Sequence, residues 1–592
     1  MDMRGIESVL NECERLRELV YPESYILKRL KDSSNVAIWG TGEHTEHLLK
    51  VLDIDKINLK CFIDSNQSKW GKEFHNFKIY PPKAITELQI DSVIISSCTY
   101  SSEISAQILR NFPNCKYVDL YSELEYNRPF YYVVDDLKPL YEFYTETCLL
   151  IKIDLESLKV SIDNDMLRKL DEFIEDIDVD RKGFEKNIKL TSLEYVNTYL
   201  RNSDEDCNCE TKKKIKVAFF IQNPNTWSST ESVYEAMIED DRADVKVIQL
   251  PFIHRYSTEY NGSRNLLLKK QIAFIPWYLY NIEEDRPDIV IYHSPYDATR
   301  PSMYSVESIK KLGIKIIYIP YCQELFGGDI AKWFFNNDIH RDAWKIYVRS
   351  EKYKKMFKKN SLYNGENLVV TGHPKFDSMA KLKDFEVNEY KRNLVKNKTV
   401  FLWNPHFYAN DGVSNSTFNT WKSFILSLFE KRDDLFLIIR PHPLLLGGLI
   451  KLNNGDTTEV DNFRKAIKNM KNVILDESDD YRESFVLSDA LISDTSSFLL
   501  TYMPTCKPIL HLIGENTIKL NEDGQDIASV CYKGSTKEDI LNYIDMVVDN
   551  KDPLYHLRIS KLREHLTYFD CNCGYRIKED MLNSFSESLS EL

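Results

Sequence analysis

Short apolar runs alternate with longer amphipathic stretches along most of the chain. That alternation predicts strands followed by helices, and so parallel sheets with helices on their faces. Residues 1–32 repeat apolar positions at spacings of three and four and predict helices. SNVAIWGTGEHTEHLLKVL (34–52) predicts a strand, a glycine turn and a helix. Further strands are predicted at LKCFID (59–64) and DSVIISS (91–97). This order defines a small Rossmann-like unit over residues 1–130. Residues 131–214 are a charged, helically periodic stretch closing in the polar linker NSDEDCNCETKKK (202–214).

Two more α/β units follow. Residues 215–395 carry strand patterns at KVAFFIQN (216–223), VKVIQLP (245–251), PDIVIYH (287–293), IKIIYIP (314–320), YVRS (347–350) and LVVTG (368–372). Residues 396–552 carry them at TVFLWNP (399–405), LFLIIRP (435–441), NVILD (472–476), ALISD (490–494) and KPILHL (507–512). The tail, 553–592, is helical and is placed to cross back to the first of these two units. Tandem units of this kind predict a two-domain enzyme with its site in the cleft between them. IPWYLYNI (275–282) reads as helix core; sugar stacking or a membrane contact is the other reading.

Composition narrows the classes. A chain of 592 residues suggests several domains, and 43% hydrophobic content suffices for several cores. The 91 acidic against 77 basic residues argue against nucleic acid as a partner and against a polybasic anchor. No apolar run nears the ~18 residues of a spanning helix, and MDMRGIESVLNECERL has no signal-peptide core. A soluble cytoplasmic protein is expected, with a peripheral place at the inner face of the cell membrane left open. Cys207/Cys209 and Cys571/Cys573 are closer than zinc spacing favours, so reduced surface thiols are expected there.

Two stretches carry chemistry. Arg440-Pro441-His442-Pro443 closes the run FLII (436–439), and Ser493-Asp494-Thr495-Ser496-Ser497 sits between ALI (490–492) and FLLTYM (498–503). A strand end bearing arginine and imidazole, beside a hydroxyl-rich helix start, suits a diphosphate. Near the N-terminus, Gly40-x-Gly42-x-x-Thr45 with Asp64 at the next strand end has the context of a dinucleotide loop without its third glycine. It reads either as a nucleotide site or as a Rossmann-like unit that keeps the turn without the ligand.

Gly372-His373-Pro374-Lys375-x-Asp377, FLWNPHF (401–407), RPHP, SDTSSFLLTYMPTCKPIL and Asp570-x-x-x-Gly574-x-Arg576-Ile577 together resemble the CDP-glycerol glycerophosphotransferase family over roughly 216–580. The resemblance implies a GT-B fold and transfer of glycerol- or ribitol-phosphate from a CDP-activated donor. The acceptor would be a glycan or lipid-linked hydroxyl in teichoic acid or capsular polysaccharide synthesis. It implies that Arg440 and His442 contact the donor diphosphate and that Ser496 and Ser497 bind phosphate oxygens, with Asp494 ordering the turn beneath them. His373 would line the cleft, and Arg576 would join the substrate-binding set.

One position departs from the family. Its W-H-G-T-P loop histidine, the proposed base, is matched here by Tyr321 in YIPYCQELFGGD (318–329). Tyrosine titrates near 10 and is a poor base at neutral pH. His293, which opens HSPYD, and His406, which ends FLWNPH, are the replacement candidates, with Asp297 and Glu324 behind them. No Asp-x-Asp metal signature stands in the required place, so metal-independent transfer with no cofactor is expected. Two other readings stay open: a GT-B glycosyltransferase using a nucleotide sugar, and a non-catalytic subunit of a polymer-synthesis complex.

Overall fold

The computed structural model describes residues 4–123, 130–158, 163–175, 214–253, 262–328, 334–407, 416–453, 455–514 and 517–590. The expected linker, with Cys207 and Cys209, lies outside them except for Lys214. The chain divides into two compact units, Met1–Leu193 and Glu194–Leu592.

In the first unit, β1 (Val36–Trp39), β2 (Leu59–Ile63), β3 (Glu73–Phe74), β4 (Phe77–Tyr80), β5 (Ser92–Ile95) and β6 (Lys116–Val118) form one sheet in the order β3-β4-β2-β1-β5-β6. Only the β3–β4 hairpin is antiparallel. The central strands are buried on both faces, which is why they read as continuous apolar runs. Helix Phe130–Leu158 packs against helix Arg4–Val20, bringing the Cys13 and Cys148 sulfurs to 3.6 Å.

The second unit holds two parallel sheets. One contains β7 (Ile215–Ile221), β8 (Ala243–Gln249), β9 (Ile275–Pro276), β10 (Ile289–Tyr292), β11 (Lys315–Tyr318), β12 (Lys345–Val348) and β13 (Leu368–Val370), in the order β13-β12-β11-β10-β7-β8-β9. The other contains β14 (Thr399–Asn404), β15 (Leu435–Ile439), β16 (Val473–Leu475), β17 (Ala490–Ser493), β18 (Ile509–Leu512) and β19 (Tyr532–Gly534), in the order β16-β15-β14-β17-β18-β19. In both, the chain winds one way from a central strand and then the other, so strand order reverses beside β7 and beside β14.

The short strands β3, β4, β6, β9 and β19, of two to four residues, escaped the sequence pattern. The stripe 275–282 is not a helix. Pro276 supplies no N–H, and the segment runs as β9, a tight turn at Trp277–Leu279 and a short helix Ile282–Asp285 capped by the Asn281 side chain. Its rings are core all the same: Trp277, Tyr278 and Tyr280 are buried.

The two domains of this unit meet through a loop at 322–328. Phe326 pairs antiparallel with Leu520, and the Asn521 amide donates to the Glu324 carbonyl at 2.7 Å. Arg349 and Asp523 form a buried ion pair across the same seam. Helix Cys573–Ser590 returns to the first domain and puts Ile577, Met581, Leu582 and Phe585 into its core. Asp377 accepts from the N–H groups of Cys573 (3.0 Å) and Gly574 (2.8 Å) and from the Ser232 hydroxyl (2.7 Å), capping that helix. Gly574 must be glycine, because a Cβ there would lie 2.3 Å from the Ser232 carbonyl oxygen. Among the described residues, no helix is long and apolar enough to cross a membrane.

Asp377→Ala leaves two buried N–H groups bare, which costs roughly 2–5 kcal/mol. Hydrogen exchange should show the amides of helix Cys573–Ser590 losing protection first in this variant.

Candidate active site

The ends of β14, β15 and β17 converge on one amide. Asn404 closes β14; its Nδ2–H donates to the Arg440 carbonyl at 2.8 Å, and its Oδ1 accepts from the hydroxyls of Ser496 at 3.1 Å and Ser493 at 3.3 Å. The RPHP turn and the SDTSS turn are therefore held to one another through a side chain that sequence reasoning passed over. Its signal was present, in the motif FLWNPH.

Arg440 is buried, and its guanidinium is already engaged. Nη1 donates to Asp476 (2.8 Å) and Ser478 Oγ (3.1 Å), and Nη2 to the Ser478 carbonyl (2.6 Å). Asp476 thus shares its charge, and any diphosphate meets a guanidinium fixed in place and partly neutralised. His442 is half-buried at the start of helix Leu444–Leu452, with Nδ1 accepting from the Leu444 N–H at 3.1 Å. The neutral ring therefore carries its proton on Nε2. The rings of His406 and His442 lie 4.6 Å apart, and Phe407 lies 4.7 Å from each. Phe326, from the other domain, comes within 6.1 Å of His406. This aromatic group sits where the two domains meet.

Asp494 is fully buried and does not lie beneath the serine turn. Its carboxylate accepts from the N–H groups of His406 (2.8 Å) and Thr417 (3.0 Å) and from the Thr417 hydroxyl. It orders the loop after β14, and burial lifts its pKa to about 7. No face of this carboxyl is open to a substrate. The helix after Ser497 is also shorter than expected: Phe498–Thr501 is a single turn, and the tight turn Met503–Thr505 with Pro504 ends it. So few aligned peptides make a weak dipole. What the turn offers is N–H groups and the part-exposed Ser497 hydroxyl, while Ser496 is buried and committed to Asn404.

In the first domain, His293 ends β10 and is buried. Burial and the nearby Arg300 depress its imidazole to about 3. His406 is likewise held down, to about 4, by burial. Both are neutral at pH 7 and able to accept a proton, though weakly basic. His373 does not line the cleft. Its Nε2–H donates to the Pro320 carbonyl and its Nδ1 accepts from the Lys375 N–H, so it is a turn residue. Tyr321 contributes its backbone: its N–H donates to the His293 carbonyl (3.0 Å) and its carbonyl accepts from Lys375 Nζ (2.7 Å). Burial raises its phenol further, away from any role as a base. Lys375, depressed to about 8 by burial, was not singled out from sequence. Glu324 is buried with its pKa raised, and the Tyr353 hydroxyl donates to it at 2.9 Å.

Arg576 serves the fold. Its two Nη groups donate to Asp570 at 2.8 Å each and its Nε to the Thr371 carbonyl at 2.9 Å, with the guanidinium over Tyr568. The fork expected on substrate is used to pin the tail. In the first unit, Asp64 does not stand open as a ribose partner. The Thr41 hydroxyl, the Asn66 N–H (2.8 Å) and Lys69 Nζ (2.9 Å) all donate to it. Gly40 (φ +133°) is required by packing, because a Cβ would meet the Ser96 carbonyl at 2.4 Å, whereas Gly42 faces open space. Among the described residues, no three His, Cys, Asp or Glu side chains group as a metal site would need.

Two doubly wound parallel sheets in one unit, with turns rich in polar residues at their carboxyl strand ends, make a GT-B-like architecture. Residues 308–516 match the family model described as CDP-Glycerol:Poly(glycerophosphate) glycerophosphotransferase, and the protein is a transferase. Residues 32–113 match the model described as C2185-like, N-terminal. No curated protein matches the chain. Among solved structures, it is similar to the wall teichoic acid polymerase TagF (15% identity, 68% of this chain and 99% of that one, TM-score 0.41). It is also similar to UDP-GlcNAc 2-epimerase from Neisseria meningitidis (15%, 62% and 100%, 0.45) and to MnaA of S. aureus (15%, 62% and 95%, 0.44).

Asp494→Ala strips three donors of their acceptor and should lower stability by roughly 3 kcal/mol or more. Asp494→Asn should stay near the parent, since the amide oxygen can take both N–H groups and the Thr417 hydroxyl can turn to accept. Urea titration separates the two. A second expectation concerns pH. The buried imidazoles of His44, His293, His340, His373, His406 and His511 sit at about 3 to 4 when folded. An unfolded histidine titrates near 6.5, so the unfolded chain takes up protons first. Their contribution is complete above about pH 6.5 and is lost as pH falls towards 4. Asp494 works in the opposite sense, losing its smaller contribution as pH rises from about 4 through 7. The urea midpoint should therefore climb between pH 4 and 6.5.

Proposed function

We propose that this transferase moves glycerol- or ribitol-phosphate from a CDP-activated donor to an acceptor hydroxyl, extending a teichoic-acid or capsular polymer at the inner face of the membrane. The observation that carries this reading is that the matched segment, 308–516, contains the edge where Asn404 ties the Arg440–Pro443 turn to the Ser493–Ser497 turn. In this step the acceptor oxygen bonds to the phosphorus bearing the polyol. The P–O bond to CMP breaks, and its electron pair leaves on the CMP phosphate. The hydroxyl proton passes to one neutral imidazole, for which His293 is the first candidate and His406 the alternative.

Negative charge grows on the departing CMP, and donors already fixed in place lower the barrier. Arg440, His442 and the Ser497 turn fill that role. No step calls on a metal ion. A second reading, transfer of a sugar from a nucleotide sugar, is favoured by Tyr321 at the position of the family histidine, because the same diphosphate edge would serve it.

Nucleotide release from a panel of CDP-polyols and nucleotide sugars, with oligosaccharide and lipid-linked acceptors, tests this. CMP release that survives EDTA and falls about 10²–10³-fold in His442→Ala is expected. UDP or GDP release instead would move the protein to the glycosyltransferases, and EDTA sensitivity restored by Mg²⁺ would overturn the metal-independent step.

A further inference from the structure

The turn after β10, His293 to Arg300, concentrates polar atoms that the fold leaves without partners. Both ring nitrogens of His293, Ser294 Oγ, Asp297 Oδ1 and Arg300 Nη1 are buried and make no well-formed hydrogen bond to a described residue, although His293 lies against the Phe220 backbone and Arg300 against the Tyr292 hydroxyl. His293 is 1% exposed and Arg300 4%. The groups are neighbours. Arg300 Nη2 donates to the Ser294 carbonyl at 2.6 Å, Arg300 Nε lies 3.5 Å from Asp297 Oδ1, and the guanidinium stacks 4.5 Å over the Tyr292 ring. Buried polar atoms are nearly always satisfied, so so many orphans in one turn call for an explanation.

The place is also informative. β7 and β10 are paired, yet the chain leaves β7 towards β8 and leaves β10 towards β11, on the opposite side. Such a reversal of strand order opens the crevice in which doubly wound sheets bind ligands. Gln222, just past β7, donates to Thr299 Oγ1 at 2.8 Å and to the Thr299 carbonyl, so the turn is braced from the other side of the crevice.

The chemistry selects the ligand. Arg300 and Asp297 offset each other's charge, and the unpartnered atoms comprise a donor, an acceptor, a hydroxyl and an imidazole able to do either. A phosphate only accepts and would meet Asp297 Oδ1 unfavourably. A hydroxyl donates and accepts at once and matches the set. We propose that this turn is a recognition pocket for the hydroxyls of a neutral polyol or sugar end, with Ser294, Asp297 and Arg300 holding it against the His293 ring. Calling that end the acceptor terminus rests on the transferase reading above. The atoms are shielded, so entry requires the turn to open locally.

Saturation-transfer NMR on the full chain tests it, with a synthetic tri(glycerol phosphate) carrying a free glycerol end as probe. The probe should bind without donor, be displaced by glycerol and not by inorganic phosphate, and bind about tenfold more weakly to Ser294→Ala, with CDP-glycerol binding unchanged. If Ser294→Ala melts early, Asp297→Asn, which keeps an acceptor for the Val306 N–H, makes the same comparison. No binding to the parent, equal binding to a folded variant, or displacement by phosphate rather than glycerol would overturn the pocket. Ser294-dependent binding in a protein inert towards every CDP-polyol would support the pocket and refute the transferase reading.

Discussion

The site is organised around the Asn404 side chain. Its amide reaches the Arg440 carbonyl on one side and the Ser493 and Ser496 hydroxyls on the other. Three strand ends that come from separate parts of the sequence are thereby set in register with one another. In a buried setting such bonds are strong and their loss is costly, because each freed group would remain unsatisfied. Arg440 is fixed further by Asp476 and Ser478, and the loop after β14 by Asp494. The edge formed by these turns is held in place by its own bonds, which is what stabilising a transition state without reorganisation would require.

The second constraint is the seam between the two domains of the large unit. The loop 322–328 lies against 519–524 through backbone bonds, with Gly327 and Gly524 admitting the close approach. That loop is committed to packing. The tail closes the arrangement from outside. Asp377 caps helix Cys573–Ser590, and Arg576 binds Asp570 and Thr371. Two motifs with the look of substrate-binding residues are thus a clasp between the tail and the first domain.

Burial also sets the protonation of the histidines at the strand ends. His293 and His406 are neutral at physiological pH because the interior disfavours their charge, and Asp494 is poised near 7 for the same reason. A neutral imidazole can take a proton, but one this far depressed gains reactivity only when a bound substrate or local opening changes its surroundings. The unpartnered atoms around His293 supply the contacts through which a substrate would do so.

Read alone, the chain determined its class of architecture. Parallel strands buried on both faces must be apolar throughout, so β1, β7, β10, β14, β15 and β17 announce themselves as runs, and the RPHP and SDTSS turns announce the ends of β15 and β17. The His293 loop was legible as a strand end. What each polar side chain does was not legible, because a hydrogen bond depends on a partner that can lie anywhere in the sequence. Asp494 could not be seen to hold Thr417, nor Arg576 to hold Thr371, nor Asp64 to be taken by Lys69, and Asn404 drew no notice at all. Periodicity records which residues meet the core. Only the tertiary structure decides which of the remaining polar groups are spent on one another and which are left for a substrate.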